Sequence, residues 1–240
     1  MYLADSRTAP AAPDRTGPGR RPAVPGTVLA LGAVSLITDI SAEMITAVLP
    51  LYVVTALGLS PFGFGVLDGV NNGVGALVRL AGGHLADGGG RRHKVVAGLG
   101  YGLSALCKPL LLLAHGLPAI GAVLAADRAG KGLRTAPRDA LISLATRPEH
   151  RGRAFGVHRA MDTAGALLGP LAAFAVLRIA VDGYDAVFTV SGCVAALGVL
   201  VLVLFVPART PAPQPTPGTT PPTFRTSLAL LRHPPLRRLT

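Results

Sequence analysis

Six long apolar stretches, separated by short polar or glycine-rich connections, follow one another along the chain. They cover residues 27–57, 62–86, 95–114, 117–144, 154–180 and 186–208. A transmembrane helix needs about 20 predominantly apolar residues, so each stretch is long enough to cross a bilayer. The third and sixth stretches are the most apolar, with Lys108 as their one charged residue, whereas each of the others contains several ionisable residues. Because intramembrane charges are tolerated mainly inside a bundle, the pattern predicts six transmembrane helices, with the third and sixth facing lipid.

The two ends of the chain differ in composition from this central region. Residues 1–26 contain four arginines among Pro, Gly and Ala, and such a segment cannot bury a core. Residues 209–240 begin with a Pro- and Thr-rich stretch that is typical of a linker and continue into a basic segment. The predicted organisation is a disordered cytoplasmic tail (1–26), a six-span bundle (27–208) and a cytoplasmic linker (209–240).

Composition and charge exclude several classes of protein and predict an orientation. Only 15% of the 240 residues are charged, against about 25% in soluble domains, and the two cysteines are too few for a disulfide framework. Fifteen of the 23 Lys and Arg residues lie in the tails or in the connections after the second and fourth stretches. By the positive-inside rule, both termini of a multi-pass protein of the cytoplasmic (inner) membrane are therefore cytoplasmic. The net charge of +11 reflects this topology and requires no nucleic-acid partner, and no metal-ligand spacing is present.

Charged residues occupy one face of two predicted helices. Asp39 and Glu43 are one turn apart in the first, and Arg128 and Lys131 share a face of the fourth. Each charge at mid-bilayer costs at least about 2.5–3.5 kcal/mol, so such faces need water, oppositely charged partners or an anionic substrate. The sequence therefore predicts a transport site in which Asp39 or Glu43 faces Arg128 or Lys131. A permanent salt bridge that neutralises the bundle interior is the alternative.

Other polar residues in the spans have simpler expected roles. Arg134 and Arg138 lie near the end of the fourth stretch, where long side chains can snorkel to the interface. Lys108 in the third span is a candidate structural partner for Asp68 in the second. Glycines at four-residue spacing predict close helix packing; they are Gly65/Gly69/Gly73, Gly98/Gly102 and Gly165/Gly169.

Three short motifs fall in order on the predicted helices. The first motif, Gly-x-x-x-Asp-x-x-Gly-Arg-Arg, lies at the connection after the second span and consists of Gly83, Asp87, Gly90, Arg91 and Arg92. The second, Arg-x-x-x-Gly, lies in the fourth span at Arg128 and Gly132. The third, Gly-x-x-x-Gly-Pro, lies in the fifth span at Gly165, Gly169 and Pro170. In these motifs the chain resembles the N-terminal half of the major facilitator superfamily of transporters, although Gly88 stands where that family usually has Arg. Residues 36–44, 127–142 and 151–170 are also similar to an uncharacterised bacterial branch related to magnetosome-associated transporters.

This resemblance implies an all-α fold of six transmembrane helices arranged as two inverted three-helix repeats. It implies a secondary active transporter rather than an enzyme, with no cofactor, moving a small solute by alternating access. The 83–92 loop would latch two six-helix halves together, so a second half, missing here or supplied by a second copy, is an expected partner. Helices one and four of the family line the central cavity, which agrees with a site at Asp39, Glu43, Arg128 and Lys131.

The fifth-span motif is prominent in antiporters of the resembled family, so proton-coupled export is the first expectation, with H+ as the second ligand. Uptake of an anion attracted by the Arg128 and Lys131 face is the main variant. A truncated, non-transporting membrane scaffold is the alternative from a different functional class.

Overall fold

The computed structural model describes residues 23–58, 60–86, 90–114, 116–181 and 183–207, and within these ranges it is helical throughout, without a strand. The six long helices are α1 (Gly26–Leu51), α2 (Pro61–Ala86), α3 (Gly90–Leu113), α4 (Leu117–Ala145), α5 (Arg151–Ile179) and α6 (Gly183–Phe205). A π-helical turn, Tyr52–Ala56, extends α1, and a 3-10 turn, Pro148–His150, precedes α5. The six predicted spans are confirmed as helices. The predicted linker (209–240) lies outside the described residues, and so does the predicted tail, apart from residues 23–26.

The helices extend beyond the apolar stretches at the basic connections. α3 begins at Gly90 and α5 at Arg151, several residues before the stretches at 95 and 154. Hydropathy marks only the part of a helix in hydrocarbon, whereas backbone hydrogen bonding continues into the headgroup region. Arg91, Arg92 and Arg153 therefore lie in the first turns of helices rather than in loops.

Four segments are apolar enough to cross a membrane by length and composition: Gly26–Thr55, Arg92–Leu113, Pro148–Ile179 and Gly183–Phe205. α2 and α4, at 26 and 29 residues, are as long as these four segments but are more polar. At 1.5 Å per residue, 26 residues span about 39 Å, more than the hydrocarbon core of a bilayer. The polar residues of α4 lie in the interior of the bundle, whereas α2 packs on α4 and buries only Asn71 among its described side chains.

The packing of the helices has an internal symmetry. α1 packs mainly on α5 and α6, α4 packs mainly on α2 and α3, and α3 contacts α6. If α1, α2 and α3 are exchanged for α4, α5 and α6, in that order, the same pairs of helices are in contact. The two central helices, α1 and α4, thus each pack on two helices of the opposite three-helix repeat, as expected for the predicted 3+3 repeats.

Close approach between α1 and α5 depends on two of the predicted glycines. A methyl group at Gly165 would lie 2.5 Å from the Leu36 carbonyl oxygen, and one at Gly169 would lie 2.8 Å from the Ile40 carbonyl oxygen. Both glycines are buried, so α5 has room on this face only for hydrogen atoms. The Gly65/Gly69/Gly73 prediction is wrong within the described residues, because α2 has no neighbour within 4 Å of any of these positions.

Several helices expose large apolar side chains on the outer surface. α3 and α6 expose Leu99, Leu106 and Leu200, which agrees with their predicted lipid-facing position, but α5 exposes Leu171 and Phe174 as well. Inside, one apolar cluster forms around Met44, Ile120 and Phe188 near one end, and a second forms around Leu31, Tyr101 and Ile142 near the other. Between these clusters the helices bury polar and charged groups.

We expect Gly165→Ala to destabilise the bundle, because the added methyl group forces α5 away from α1. Overpacking of this kind costs about 1–3 kcal/mol in the free energy of unfolding. Gly156→Ala is the matched control, since Gly156 lies on the same helix with open space around it. Thermal unfolding of both variants in detergent measures the difference, and equal unfolding temperatures would contradict the packing argument.

Candidate functional site

A network of ion pairs centred on α4 lies between the two apolar clusters. Charged side chains of α4 reach partners on four other helices, so this helix connects the interior. The pairs are Asp127 with Lys108 of α3, Arg128 with Asp68 of α2, Lys131 with Glu43 and Arg134 with Asp39 of α1, and Arg138 with Asp162 of α5. Buried charges are tolerated when they are paired, which explains how α4 can lie at bilayer depth.

The register between α1 and α4 follows from their antiparallel directions. Moving one turn back along α1, from Glu43 to Asp39 and then to Ser35, corresponds to moving one turn forward along α4. The matched positions are Glu43 with Lys131 at 3.8 Å, Asp39 with Arg134 at 3.1 Å, and Ser35 with Arg138 at 3.2 Å. The structure therefore brings Glu43 to Lys131, as predicted, but it brings Asp39 to Arg134.

The predicted positions of Arg134 and Arg138 are wrong, because both side chains lie on the buried side of α4. Arg134 and Arg138 do not snorkel to the interface, because both are only 5% exposed. The Arg134 guanidinium stacks over the Tyr101 ring, 4.3 Å from its centre, and Arg138 donates to Ser35 Oγ and to Asp139 Oδ1. A guanidinium that has a carboxylate, an aromatic face or a hydroxyl within reach has no need to extend to water.

The most buried pair involves a residue assigned a different partner from the sequence. Lys108 donates to Asp127 Oδ1 over 2.8 Å, and the Ser104 hydroxyl donates to the same oxygen. Lys108 is therefore not the partner of Asp68, which instead lies 3.9 Å from Arg128. The reason is the register of α3 on α4, which is set by close contact of Gly100 with Gly130 and places Lys108 beside Asp127.

Asp162 of α5 is a member of the network that was not among the predicted site residues. Asp162 lies 3.3 Å from Arg159 on the same helix and 3.6 Å from Arg138 of α4, and it is close to Asp39 of α1. A signal was available, because Asp162 shares a helix face with Gly165 and Gly169, and this face packs on α1.

The pairs differ in how tightly they are held. The Lys108–Asp127 and Arg134–Asp39 pairs are short, and their basic members are almost fully buried. The pairs made by Arg128 and Lys131 are longer, at 3.8–3.9 Å, with all four side chains at least one-fifth exposed. Water or a ligand can therefore reach the Arg128–Asp68 and Lys131–Glu43 pairs more easily than the short, buried ones.

A cavity of about 140 Å³ opens beside these two residues. It is lined by Asn72, Gly75, Ala76 and Arg79 of α2 and by Arg128, Lys131 and Gly132 of α4. α2 and α4 approach closely here, because a methyl group at Gly132 would lie 2.7 Å from the Gly75 carbonyl oxygen. Arg79 makes no hydrogen bond or ion pair with any other described residue, so the cavity has an excess of positive charge.

The structure locates the remaining motif residues only in part. Gly83 lies in α2, and Gly90, Arg91 and Arg92 form the start of α3, whereas Asp87 is outside the described residues. Gly165 and Gly169 contact α1, and α5 continues as a helix through Pro170.

Comparison with known proteins identifies the family. The family model of the Major Facilitator Superfamily matches residues 29–239. The chain belongs to the Major Facilitator Superfamily (MFS). It is therefore a multi-pass membrane protein of a transporter family rather than an enzyme.

Curated relatives share this family but are longer than the chain. An uncharacterised MFS-type transporter of Methanocaldococcus jannaschii is 39% identical over 144 residues, which cover 59% of this chain and 35% of that protein. A protein of Mycobacterium tuberculosis is 35% identical over 190 residues, which cover 77% of this chain and 44% of that protein. The MFS chain thus spans less than half the length of these relatives. The likeness to magnetosome-associated transporters stays a prediction.

Solved structures agree on the fold. A bacterial homologue of the human lysosomal transporter Spinster, inward-facing and unoccupied, superimposes with a TM-score of 0.69 at 19% identity, covering 86% of this chain and 48% of that chain. A peptide transporter of the POT family in complex with alafosfalin gives 0.66 at 19% identity, covering 90% and 46%. At this level of identity the likeness concerns the MFS fold alone.

The Asp127→Asn variant tests the structural part of the network. Removing this carboxylate leaves Lys108 as a buried charge without a counterion, which costs about 3–5 kcal/mol in the free energy of unfolding. Asp68→Asn is the matched control, because its pair with Arg128 is long and partly exposed and is worth about 1 kcal/mol or less. Denaturant unfolding in detergent measures both, and similar losses in the two variants would refute the distinction between tight and loose pairs.

Proposed function

We propose that the chain forms the N-terminal half of a secondary transporter that moves a small solute across the cytoplasmic membrane by alternating access. Asp39, Glu43, Arg128 and Lys131 form its substrate and proton pathway, and proton-coupled export is the direction we favour. The observation that carries this proposal is the Glu43–Lys131 pair, which joins the two central helices at 3.8 Å and is accessible from the cavity side.

A loosely held pair suits a binding site better than a tightly held one. Separating Glu43 from Lys131 costs little free energy, because a partly exposed ion pair at this distance contributes about 1 kcal/mol or less to stability. A substrate group or a proton can therefore replace one partner of the pair. The tight Lys108–Asp127 pair, which lies outside this pathway, supports the geometry of the helices while the exchange takes place.

Proton coupling is proposed from the arrangement of carboxylates. Protonation of Glu43 would release Lys131, and protonation within the Asp39 and Asp162 pair would weaken the hold on Arg134 or Arg138. Either event changes which helix α4 is attached to. Proton binding is thus linked to helix arrangement through ion pairs, which is the requirement for coupling.

We also propose the orientation and the partner of the bundle. The basic connections lie at the end of the bundle where α1, α3 and α5 begin, which supports cytoplasmic termini by the positive-inside rule. A second six-helix half would face the cavity side of α1, α2, α4 and α5. This proposal is supported by the longer curated relatives, and the 83–92 loop is its proposed latch.

Uptake of an anion is the second candidate, and one observation favours it. Arg79, Arg128 and Lys131 line the same cavity, and Arg79 has no acidic partner among the described residues. An uncompensated cation beside two loosely paired ones attracts a negatively charged solute. The 83–92 loop and the motif formed by Gly165, Gly169 and Pro170 in α5 would serve either direction of transport.

The test of proton coupling is transport by the full-length protein in proteoliposomes, with a solute panel and an imposed pH gradient. We expect Glu43→Gln and Asp39→Asn to lose at least about tenfold of the gradient-driven rate, because neither variant can exchange a proton. Asp185→Asn is the control, since Asp185 is exposed at the start of α6, at the end of the bundle opposite the basic connections. Unchanged gradient dependence in both pathway variants would overturn the coupling role, and no transport of any solute would favour the scaffold alternative.

The anion candidate has its own variant. Arg79→Gln should raise the KM for an anionic solute by about tenfold, because it removes a charge-assisted contact from the cavity. Neutral and cationic solutes should be unaffected. Arg178→Gln is the control, because this exposed arginine lies at the far end of α5. Equal effects of the two variants would exclude anion binding at this cavity.

A further inference from the structure

A second polar cavity lies at the end of the bundle, apart from the charged network. It has a volume of about 270 Å³ and is formed where α1 begins, α4 ends and the Pro148–His150 turn leads into α5. Its lining consists of Ala23, Pro25, Ala145, Thr146, Arg147 and His150, and a narrow extension reaches Arg153 and Ala154. None of the transport-site residues contributes to it.

The chemistry of this cavity is that of an anion site. Its polar side chains are one hydroxyl and three basic groups, from Thr146, Arg147, His150 and Arg153. Glu149, in the same turn, is exposed and does not line the cavity. The 29-residue helix α5 begins immediately beside it, so the positive end of a helix dipole adds to the basic side chains.

An unsatisfied hydroxyl shows that the cavity lacks a partner. Thr146 is only 6% exposed, and its Oγ1 atom is buried and has no hydrogen-bond partner within the described part of the chain. The neighbouring Arg151 Nε atom is also buried and unpartnered. Buried polar atoms in folded proteins are nearly always hydrogen-bonded, so the Thr146 hydroxyl, which lines the cavity, indicates a missing acceptor.

We infer that this cavity binds a phosphate group, with Thr146 and Arg147 as its direct ligands and His150 and Arg153 at its rim. The group can come from the headgroup of an anionic phospholipid or from free inorganic phosphate. The position favours the lipid, because the cavity lies where α5 passes from the basic turn into its apolar stretch at residue 154. Basic pockets at this depth are suited to lipid headgroups.

Binding to the full-length protein in a neutral detergent tests the inference with two probes. One is phosphatidylglycerol and the other is inorganic phosphate, each titrated against chloride at matched ionic strength, with the dissociation constant as the readout. We expect Thr146→Val and Arg147→Gln each to weaken binding by about tenfold, as expected for loss of a charge-assisted hydrogen bond. Thr146→Ser keeps the hydroxyl and should remain within about twofold of the unmodified chain, on the same hydrogen-bond argument.

Arg178→Gln is the matched control, because it removes one exposed arginine from the opposite end of α5. Circular dichroism and thermal unfolding establish that each variant is folded. Saturable binding of phosphatidylglycerol alone supports a lipid headgroup site, and saturable binding of inorganic phosphate, alone or as well, supports a site for the free ion. The inference is overturned if neither probe saturates, or if Thr146→Val and Arg147→Gln bind as tightly as Arg178→Gln.

Discussion

Charge neutralisation on α4 is the constraint on which the rest of the bundle depends. This helix carries charged residues along much of its length at bilayer depth, and an unpaired buried ion costs several kcal/mol. Each of these charges is neutralised by a side chain, most of them from another helix, so the pairs connect α4 to α1, α2, α3 and α5. The position of every polar helix is therefore tied to α4, while α6 completes the apolar surface.

Glycine contacts and ion pairs work together in this arrangement. Gly165 and Gly169 bring α5 against α1, and this contact places Asp162 beside Asp39. The Gly100–Gly130 contact brings α3 against α4 in the same way and places Lys108 beside Asp127. The basic members of the tight pairs are almost fully buried, whereas Arg128 and Lys131 of the loose pairs line the cavity. This division separates a supporting framework from a surface that can exchange partners.

Much of the fold was predictable because hydropathy and helix geometry are local properties. The six helices, the charged faces at Asp39 and Lys131 and the lipid-facing character of α3 and α6 all follow from spacing along the chain. Pairing is not local. Arg134 looked like an interfacial residue, since its sequence neighbours do not show that Tyr101 and Asp39 lie beside it. Lys108 was assigned to Asp68 because both are isolated charges, yet helix register decides which acid is within reach.

The sequence by itself determined the number of helices, their boundaries to within a few residues, the side on which the basic connections lie and the membership in a transporter family. The helices and the basic connections follow from composition and periodicity, which are local properties of each segment, whereas the family was indicated by the resemblance of short motifs. Only the tertiary structure decided which carboxylate neutralises which cation, that Asp162 joins the network, and that Arg79 and the Thr146 hydroxyl have no partner among the residues the structure describes. The reason is physical: an ion pair forms over a few ångströms, and that distance depends on how helices far apart in the chain pack on one another.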